Sequence, residues 1–356
     1  IGGDFTETAM LATRQPLLRR FWHPLAPAIA LGAEPMPFHL LGQDIVLWRT
    51  ADGTPAALRD RCCHRTAKLS RGWNKDGCLV CGYHGWAYDG TGAVVDIPQR
   101  PNGGIPKGLR TEAFACAERH GVIWVALEEP LFDIPDIPEA SDPAFRRIDQ
   151  FHEVWDAPGL RIMENSFDNA HFSYVHAKSF GINEEPEPAP LTIEPTGDGF
   201  VMRAVVPVNN PDIQKKNLGD AGARTVRNYE KTWYAPFSRK MKITYPNGLI
   251  HIICTLTAPI DDQRSMVTQF ALRNDTEADA PAADIIAFDR QVTQEDMAIL
   301  EICDPDVPLR AGRGGEVSIP SDEPGLEMRR QLLKLLIAHG EEEFSRLSEE
   351  LRVAAE

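Results

Sequence analysis

The stretch Cys62–Trp86, CCHRTAKLSRGWNKDGCLVCGYHGW, sets two cysteines and two histidines in mixed pairs. Cys62-x-His64 forms one pair and Cys81-x-x-His84 the other, with sixteen residues between them. Two short loops that each offer a thiolate and an imidazole can wrap a metal centre from two sides. Zinc takes two Cys and two His in a tetrahedron, whereas a [2Fe–2S] cluster can take two Cys on one iron and two His on the other. Zinc fingers usually pair Cys with Cys and His with His. Here each loop mixes the two types, so both loops can reach both irons, and the spacing favours the cluster. Gly82, Tyr83, Gly85 and Trp86 suit a tight loop that shields such a centre from water. The bland alternative, buried thiols beside core histidines, is ordinary for one residue and poor for four. Cys63 and Cys78 read as packing residues.

Around this stretch the chain is β-rich. His39–Thr50 is rich in β-branched and aromatic residues and runs up to Asp52-Gly53; Val80–Asp89 and Ala93–Ile97 flank Gly90-Thr91-Gly92; Gly121–Leu127 is an apolar run suited to a buried strand. Pro-rich residues 130–143 mark a boundary. A chain of 356 residues makes about two domains at roughly 150 residues each. The expected division is 1–130 and 131–356.

The net charge of −15 argues against a nucleic-acid binder that relies on bulk positive charge. No stretch approaches 18 apolar residues, so no membrane helix is expected. The start, IGGDFTET, has no basic segment followed by an apolar one, so no signal peptide is expected. Seven cysteines, an odd number in a core-rich chain, fit a reducing cytoplasm better than a disulfide framework.

The second part alternates differently. A helix is expected over about 160–176, strands over 192–208 and 228–234, and a hairpin of 241–245 with 249–256 about Asn247-Gly248. Residues 266–273 can continue that sheet. The polar stretch 209–224 reads as a loop, and helices are expected over 282–303 and 326–339, with a charged tail after Gly340. The fold class expected is α+β.

Residues 164–176, ENSFDNAHFSYVH, carry a second cluster of metal-ligating types. Asp168 and His171 are i,i+3 and share a helix face. His171 and His176 are i,i+5, about 140° apart on an ideal helix, so both reach one ion only if the helix ends or deforms between them. Two histidines and a carboxylate form the facial triad of non-haem Fe(II) oxygenases. The competing reading is an amphipathic helix whose histidines fill its polar edge. A redox cluster in the same chain favours iron, because O2 activation needs an electron source. The third ligand is sought on the helix over 282–303. Ile285, Phe288, Val292, Ile299 and Cys303 form one stripe at 100° per residue, with Asp296 in its middle and Asp289 at its edge. A carboxylate on an apolar face must be paired or metal-bound, so Asp296 is chosen, with Asp289 in reserve. Glu295 and Glu301 read as solvated.

The two Cys/His pairs, followed about eighty residues later by Asn165-x-x-Asp168-x-x-His171-x4-His176, resemble the Rieske non-haem iron oxygenases over nearly the whole chain. The resemblance implies that Cys62, His64, Cys81 and His84 hold a Rieske [2Fe–2S] cluster, and that His171, His176 and Asp296 hold a mononuclear Fe(II). It also implies that Asp168 links His171 to His84 of a neighbouring subunit in a head-to-tail homotrimer. Asn165 matches an Asn near the iron. The implied fold is a β-rich Rieske domain followed by a catalytic domain, a curved antiparallel sheet covered by helices. The length, Phe21-Trp22-His23-Pro24 and the Cys81–Trp86 run resemble the single-subunit monooxygenase and demethylase group.

The implied activity is that of a terminal oxygenase using O2 and electrons from NAD(P)H, delivered by a reductase with or without a ferredoxin. The substrate would be a small, aromatic or heterocyclic compound, hydroxylated or oxidatively demethylated. A cis-dihydroxylating dioxygenase, a Rieske electron-transfer protein and a zinc scaffold are the alternatives. Val206, Ile252 and Phe288 are candidates for the pocket wall, and 209–224 for a lid. Arg59, Arg61, Arg65, Lys68 and Arg71 form a basic group round the first cluster loop. They suit either docking of an acidic donor or pairing with acids at a subunit interface.

Overall fold

The computed structural model describes residues 11–219, 222–305, 307–310 and 316–343. They form two compact units, one of Leu18–Ile134 with Ala258–Asp261, the other of Pro135–Thr257 with the described residues before 18 and after 261.

The first unit contains β1 (His23–Pro27), β2 (Met36–Leu40), β3 (Gln43–Arg49), β4 (Pro55–Arg59), β5 (Trp73–Lys75), β6 (Cys78–Val80), β7 (Ala87–Tyr88), β8 (Val94–Asp96), β9 (Ala113–Arg119) and β10 (Val122–Ala126). Among the described residues these make a six-stranded sheet, β1-β10-β9-β4-β3-β2, and a four-stranded sheet, β5-β6-β7-β8. β10 is the apolar run at 121–127, and all five of its residues are buried. The run 39–50 is two strands rather than one. Leu41 and Gly42 both take positive φ, 50° and 74°, so they form the tight two-residue turn that suits right-twisted arms. Cys62 and Cys81 lie in the same core cluster as Trp48, Leu58, Tyr88 and Ile97, which sets both thiols on a rigid base.

The second unit contains β11 (Arg146–Trp155), α1 (Gly159–Phe167), α2 (Phe172–Val175), β12 (Leu191–Pro195), β13 (Gly199–Asn209), α3 (Asp212–Asn217), β14 (Arg224–Tyr234), β15 (Ser238–Thr244), β16 (Ile250–Pro259), β17 (Ser265–Arg273), α4 (Ala282–Leu300) and α5 (Glu323–Ala338). Its sheet runs β11-β17-β16-β15-β14-β13-β12. α4 packs against α1, α2, α3 and β11. The fold is the α+β arrangement expected: a β-rich unit, then an antiparallel sheet with helices.

Three local expectations change. The strand expected over 192–208 is the hairpin of β12 and β13, turned at 196–198. The expected loop over 209–224 contains α3. Asp212 in its first turn and Lys215 and Lys216 in its last match the helix dipole at both ends; residues 220 and 221 lie outside the described residues. The helix expected over 160–176 stops at Phe167. Asp168 is extended (ψ 137°), and its carboxylate accepts the Ala170 N–H at 2.6 Å. That local bond competes with the helix and ends it. The tail beyond residue 343 lies outside the described residues.

On β17, Arg273 is 1% exposed. It donates to Asp275 and to the Asn217 carbonyl, and touches His251 Nδ1 at 3.3 Å. Breaking a buried pair strands a charge, at about 3–5 kcal/mol. Asp275→Ala is therefore expected to lower unfolding free energy by that amount in denaturant melts. Glu230→Ala, which removes an exposed partner of Arg203, should cost no more than about 1 kcal/mol. Equal costs would contradict the assignment.

Candidate metal centres and cavity

The cluster candidates sit on two loops, one after β4 and one between β6 and β7. Asp60 braces the first by accepting the Ser70 N–H at 2.7 Å and its hydroxyl at 2.6 Å. Cys81 N–H donates to the Trp86 carbonyl at 2.9 Å, and Gly85 N–H to the Cys81 carbonyl at 2.9 Å. Gly85 takes φ 75°, a conformation that glycine adopts without strain. Cys62 Sγ lies 3.0 Å from the Tyr88 hydroxyl. His64 and His84 face each other with ring centroids 4.6 Å apart, and the Trp86 ring stacks on His64 at 4.4 Å.

His64 Nδ1 is buried with no hydrogen-bond partner, as a ligand atom held ready for a metal would be. Burial pushes the Cys81 thiol up, a cost that ligation removes, because a coordinating thiol is deprotonated outright. Among the described residues, only His171, His176 and Asp296 gather three donor atoms within 4.8 Å of one another. In the Cys/His foursome each loop offers one thiol and one imidazole, which suits two irons. Cys63 is exposed and Cys78 half-buried, so Cys63 is not the packing residue expected. All seven cysteines are free thiols. In the basic group, Lys68 pairs with Asp44 and Arg59 lies 3.9 Å from Glu112. Two of the five charges are thus matched within the chain.

The break after α1 decides the second site. It lets His171 and His176 turn toward one point, with their Nε2 atoms 3.2 Å apart. Asp296 Oδ1, from α4, lies 3.5 Å from His171 Nε2 and 3.2 Å from His176 Nε2. The outer nitrogens are tied to carboxylates. His171 Nδ1 bonds Asp168 at 3.2 Å and His176 Nδ1 bonds Glu295 at 2.8 Å. A carboxylate accepts, so each Nδ1 carries the proton and each neutral ring turns a lone pair inward. Asp296 Oδ1 is buried with no hydrogen-bond partner. Three acceptors thus face one point. Two ligand atoms about 2.1 Å from a divalent ion and at right angles to each other lie about 3 Å apart, close to the spacing seen. The set fits a mononuclear ion with open positions. Burial opposes charge on Asp168, yet its bonds to His171 and to the Ala170 N–H outweigh that and hold its carboxyl below the usual range.

Asp289, the reserve ligand, is engaged elsewhere. It accepts from Gln150 Nε2 and lies 3.3 Å from His251 Nε2. Glu295 is not solvated as expected: it also accepts the Ser179 hydroxyl at 2.7 Å. The apolar stripe ends sooner than periodicity implied, since Ile299 and Cys303 are both exposed.

A cavity opens between this site, α4 and the inner face of the sheet. Asn165 and Phe288 line it, together with His171, His176 and Asp296. Val206 and Ile252 do not. Ile252 pairs with Lys242 on the outer face, and Val206 packs in the core with Phe180. From the stretch 209–224, Gln214 of α3 reaches the wall. The wall is more polar than the sequence reading implied, with Arg227, Lys231, Arg239 and Gln269 on strands β14, β15 and β17. The available signal was 227-Arg, 229-Tyr, 231-Lys, 233-Trp, which places both charges on the face of two aromatics.

A family model described as the vanillate O-demethylase oxygenase C-terminal domain matches residues 155–338, and one described as the Rieske [2Fe-2S] domain matches 21–115. Methylxanthine N1-demethylase NdmA of Pseudomonas putida is 30% identical over 346 residues, 94% of each chain. The solved structure of an NdmA mutant with theobromine superposes with a TM-score of 0.80 at 28% identity, covering 92% of this chain and 93% of that one. Dicamba monooxygenase bound to dicamba shares the fold, with a TM-score of 0.74 at 23% identity over 90% of this chain and 98% of that one.

Outer partners of metal-bound histidines set affinity by about 10–100-fold. Glu295→Ala is expected to loosen the mononuclear iron by that factor, read as iron content after dialysis against a chelator, with the visible absorbance of the cluster unchanged. Iron retained as in the wild type would exclude the role given to Glu295.

Proposed function

The chain belongs to the Rieske non-haem iron oxygenases, and from that premise we propose that it is a terminal oxygenase that hydroxylates or oxidatively demethylates a small aromatic or heterocyclic substrate. The observation that carries the reading is the convergence of His171 Nε2, His176 Nε2 and Asp296 Oδ1 on one wall of a lined cavity. Cys62, His64, Cys81 and His84 would hold the [2Fe–2S] cluster, and His171, His176 and Asp296 the iron. When bound, these groups supply electron storage and O2-dependent oxidation of a C–H bond.

The rest is the work of the chain. Asp168 and Glu295 hold the two imidazoles in one tautomer and one orientation. Phe172, Phe180 and Phe288 give the cavity apolar surface against which a ring can pack. Hydroxylation of a methyl carbon on O or N yields an adduct that collapses with loss of formaldehyde, so demethylation needs no further catalytic group. Asn165 lines the cavity beside His171 and is assigned a positioning role.

Asp168 keeps about 30% of its side chain exposed while bonded to His171, which leaves room for a second imidazole. His84 of a neighbouring subunit is the proposed partner, in a head-to-tail homotrimer. An NAD(P)H-dependent reductase, alone or through a ferredoxin, would supply the electrons. No helix of the described residues is long and apolar enough to cross a membrane. The seven free thiols support a cytoplasmic setting.

Asp168→Asn is expected to retain the cluster absorbance and the full iron content while turnover falls by about 10–100-fold or more. Turnover is read as formaldehyde released per O2 consumed with a surrogate reductase. Near-normal product formation in that variant would refute the bridging role.

A further inference from the structure

Lys231, on β14, is 1% exposed. Its Nζ donates to the Ser166 carbonyl at 3.0 Å and to Asn169 Oδ1 at 2.8 Å. The ammonium also lies 5.2 Å from the centroid of the Phe172 ring and 5.2 Å from that of Tyr229, within reach of a cation–π contact. Ser166, Asn169 and Phe172 belong to one short stretch. The first is in the last turn of α1, the second lies in the break, and the third opens α2. They stand on either side of Asp168 and His171. One side chain thus touches the segment before, between and after the two residues whose placement makes the iron site.

The break creates the need for such a contact. In a continuous helix the Ala170 N–H would donate to the Ser166 carbonyl, four residues back. Here it donates to the Asp168 carboxylate instead, so the carbonyl turns to side-chain donors. Arg239, from β15, adds a second donor at 3.4 Å and is itself held by the Thr255 hydroxyl at 2.7 Å. Positive charge at a helix C-terminus is also favoured by the helix dipole. On the far side of the break, the Phe172 N–H meets the Asn169 carbonyl only at 3.4 Å. The Asn169 side chain, bonded to Lys231, is the firmer anchor of that turn.

An apolar residue of similar length would fill the place of Lys231 without the cost of burying a charge, but it could not tie Ser166 to Asn169. We infer that Lys231 is a positioning residue that staples the 166–172 break and so sets the aim of Asp168 and His171 at the iron. This rests on the iron-site reading given above and adds to it a residue outside the ligands and their carboxylates. Lys231 lines the cavity, so a change there could also act through the substrate. Asn169, the other end of the staple, is not among the residues that line it, and its effect cannot be of that kind.

The test is a double-mutant cycle on holoenzyme with Lys231→Met and Asn169→Ala. It reads the rate at which mononuclear Fe(II) passes to a chelator, with no substrate, O2 or reductase present and the cluster absorbance constant. Each single variant should release iron about 10-fold faster, the lower end of what removing a direct outer partner does. The double variant should be no faster than either, because both changes cut the same tie. Asn169→Asp keeps the acceptor and should release iron as the wild type does. The EPR spectrum of the ferrous site with nitric oxide should change in both single variants, the signature of a re-aimed imidazole that a general loss of stability does not produce. Additive effects, single variants indistinguishable from the wild type, or an unchanged nitric oxide spectrum would overturn the inference. Should Lys231→Met fail to fold, Asn169→Ala against Asn169→Asp decides alone. A wild-type protein that takes up no iron at this site would overturn the iron-site reading itself, and this inference with it.

Discussion

Three lone pairs face one another with nothing between them to donate. His171 Nε2, His176 Nε2 and Asp296 Oδ1 cannot satisfy each other, because Asp168 and Glu295 hold the protons of the two rings on the far nitrogens. Burying acceptors without a donor is costly, so the arrangement is one that a cation completes. Much of the catalytic unit follows from holding it. A continuous helix would set His171 and His176 about 140° apart, so the helix must end. Asp168 ends it by taking the Ala170 N–H, and with its other oxygen it orients His171. One residue both breaks the helix and fixes the ligand, and α4 then brings Asp296 and Glu295 to the same place.

The cluster loops obey the same logic with softer ligands. Their thiols are packed among Trp48, Leu58 and Tyr88, so their positions are set by the surrounding core. Their imidazoles lie nearer the surface, where His64 is steadied by the Trp86 ring. A rigid buried side and a more open side suit a centre that must take electrons from outside and still be shielded.

What the sequence made legible were constraints that act over a few residues. The Cys/His pairs are set by ligand chemistry within single loops, and β10 is a run of apolar residues with no other home. Asp296 was found by counting 100° steps. Its neighbour Glu295 was missed by the same count, because helical periodicity sorts residues by burial and assumes that the buried face is apolar. α4 turns toward a polar site, so an acid one step off the stripe is buried as well. The strand over 39–50 hid its turn because Leu41 is an unusual residue at positive φ. β11, with its Arg-Arg-Ile-Asp-Gln start, shows no clean alternation, and only its pairing with β17 makes it a strand.

β14 shows why the cavity wall was the least legible part. Val226 is exposed on its outer face while Arg227 is buried on its inner one, the reverse of what hydropathy alone assigns. Register decides the matter, because Tyr229 and Trp233 must face inward and a strand alternates strictly. The chain as a whole carries −15, yet its cavity concentrates guanidinium and ammonium groups. The two facts do not conflict. At physiological ionic strength surface charges are screened beyond about 8 Å, so the acidic exterior exerts little pull on what happens at Arg227. Inside the cavity screening is weak, and the few groups within contact decide which ligand is held. An acidic protein can therefore carry a cavity lined by basic side chains, provided the fold sets them where salt does not reach.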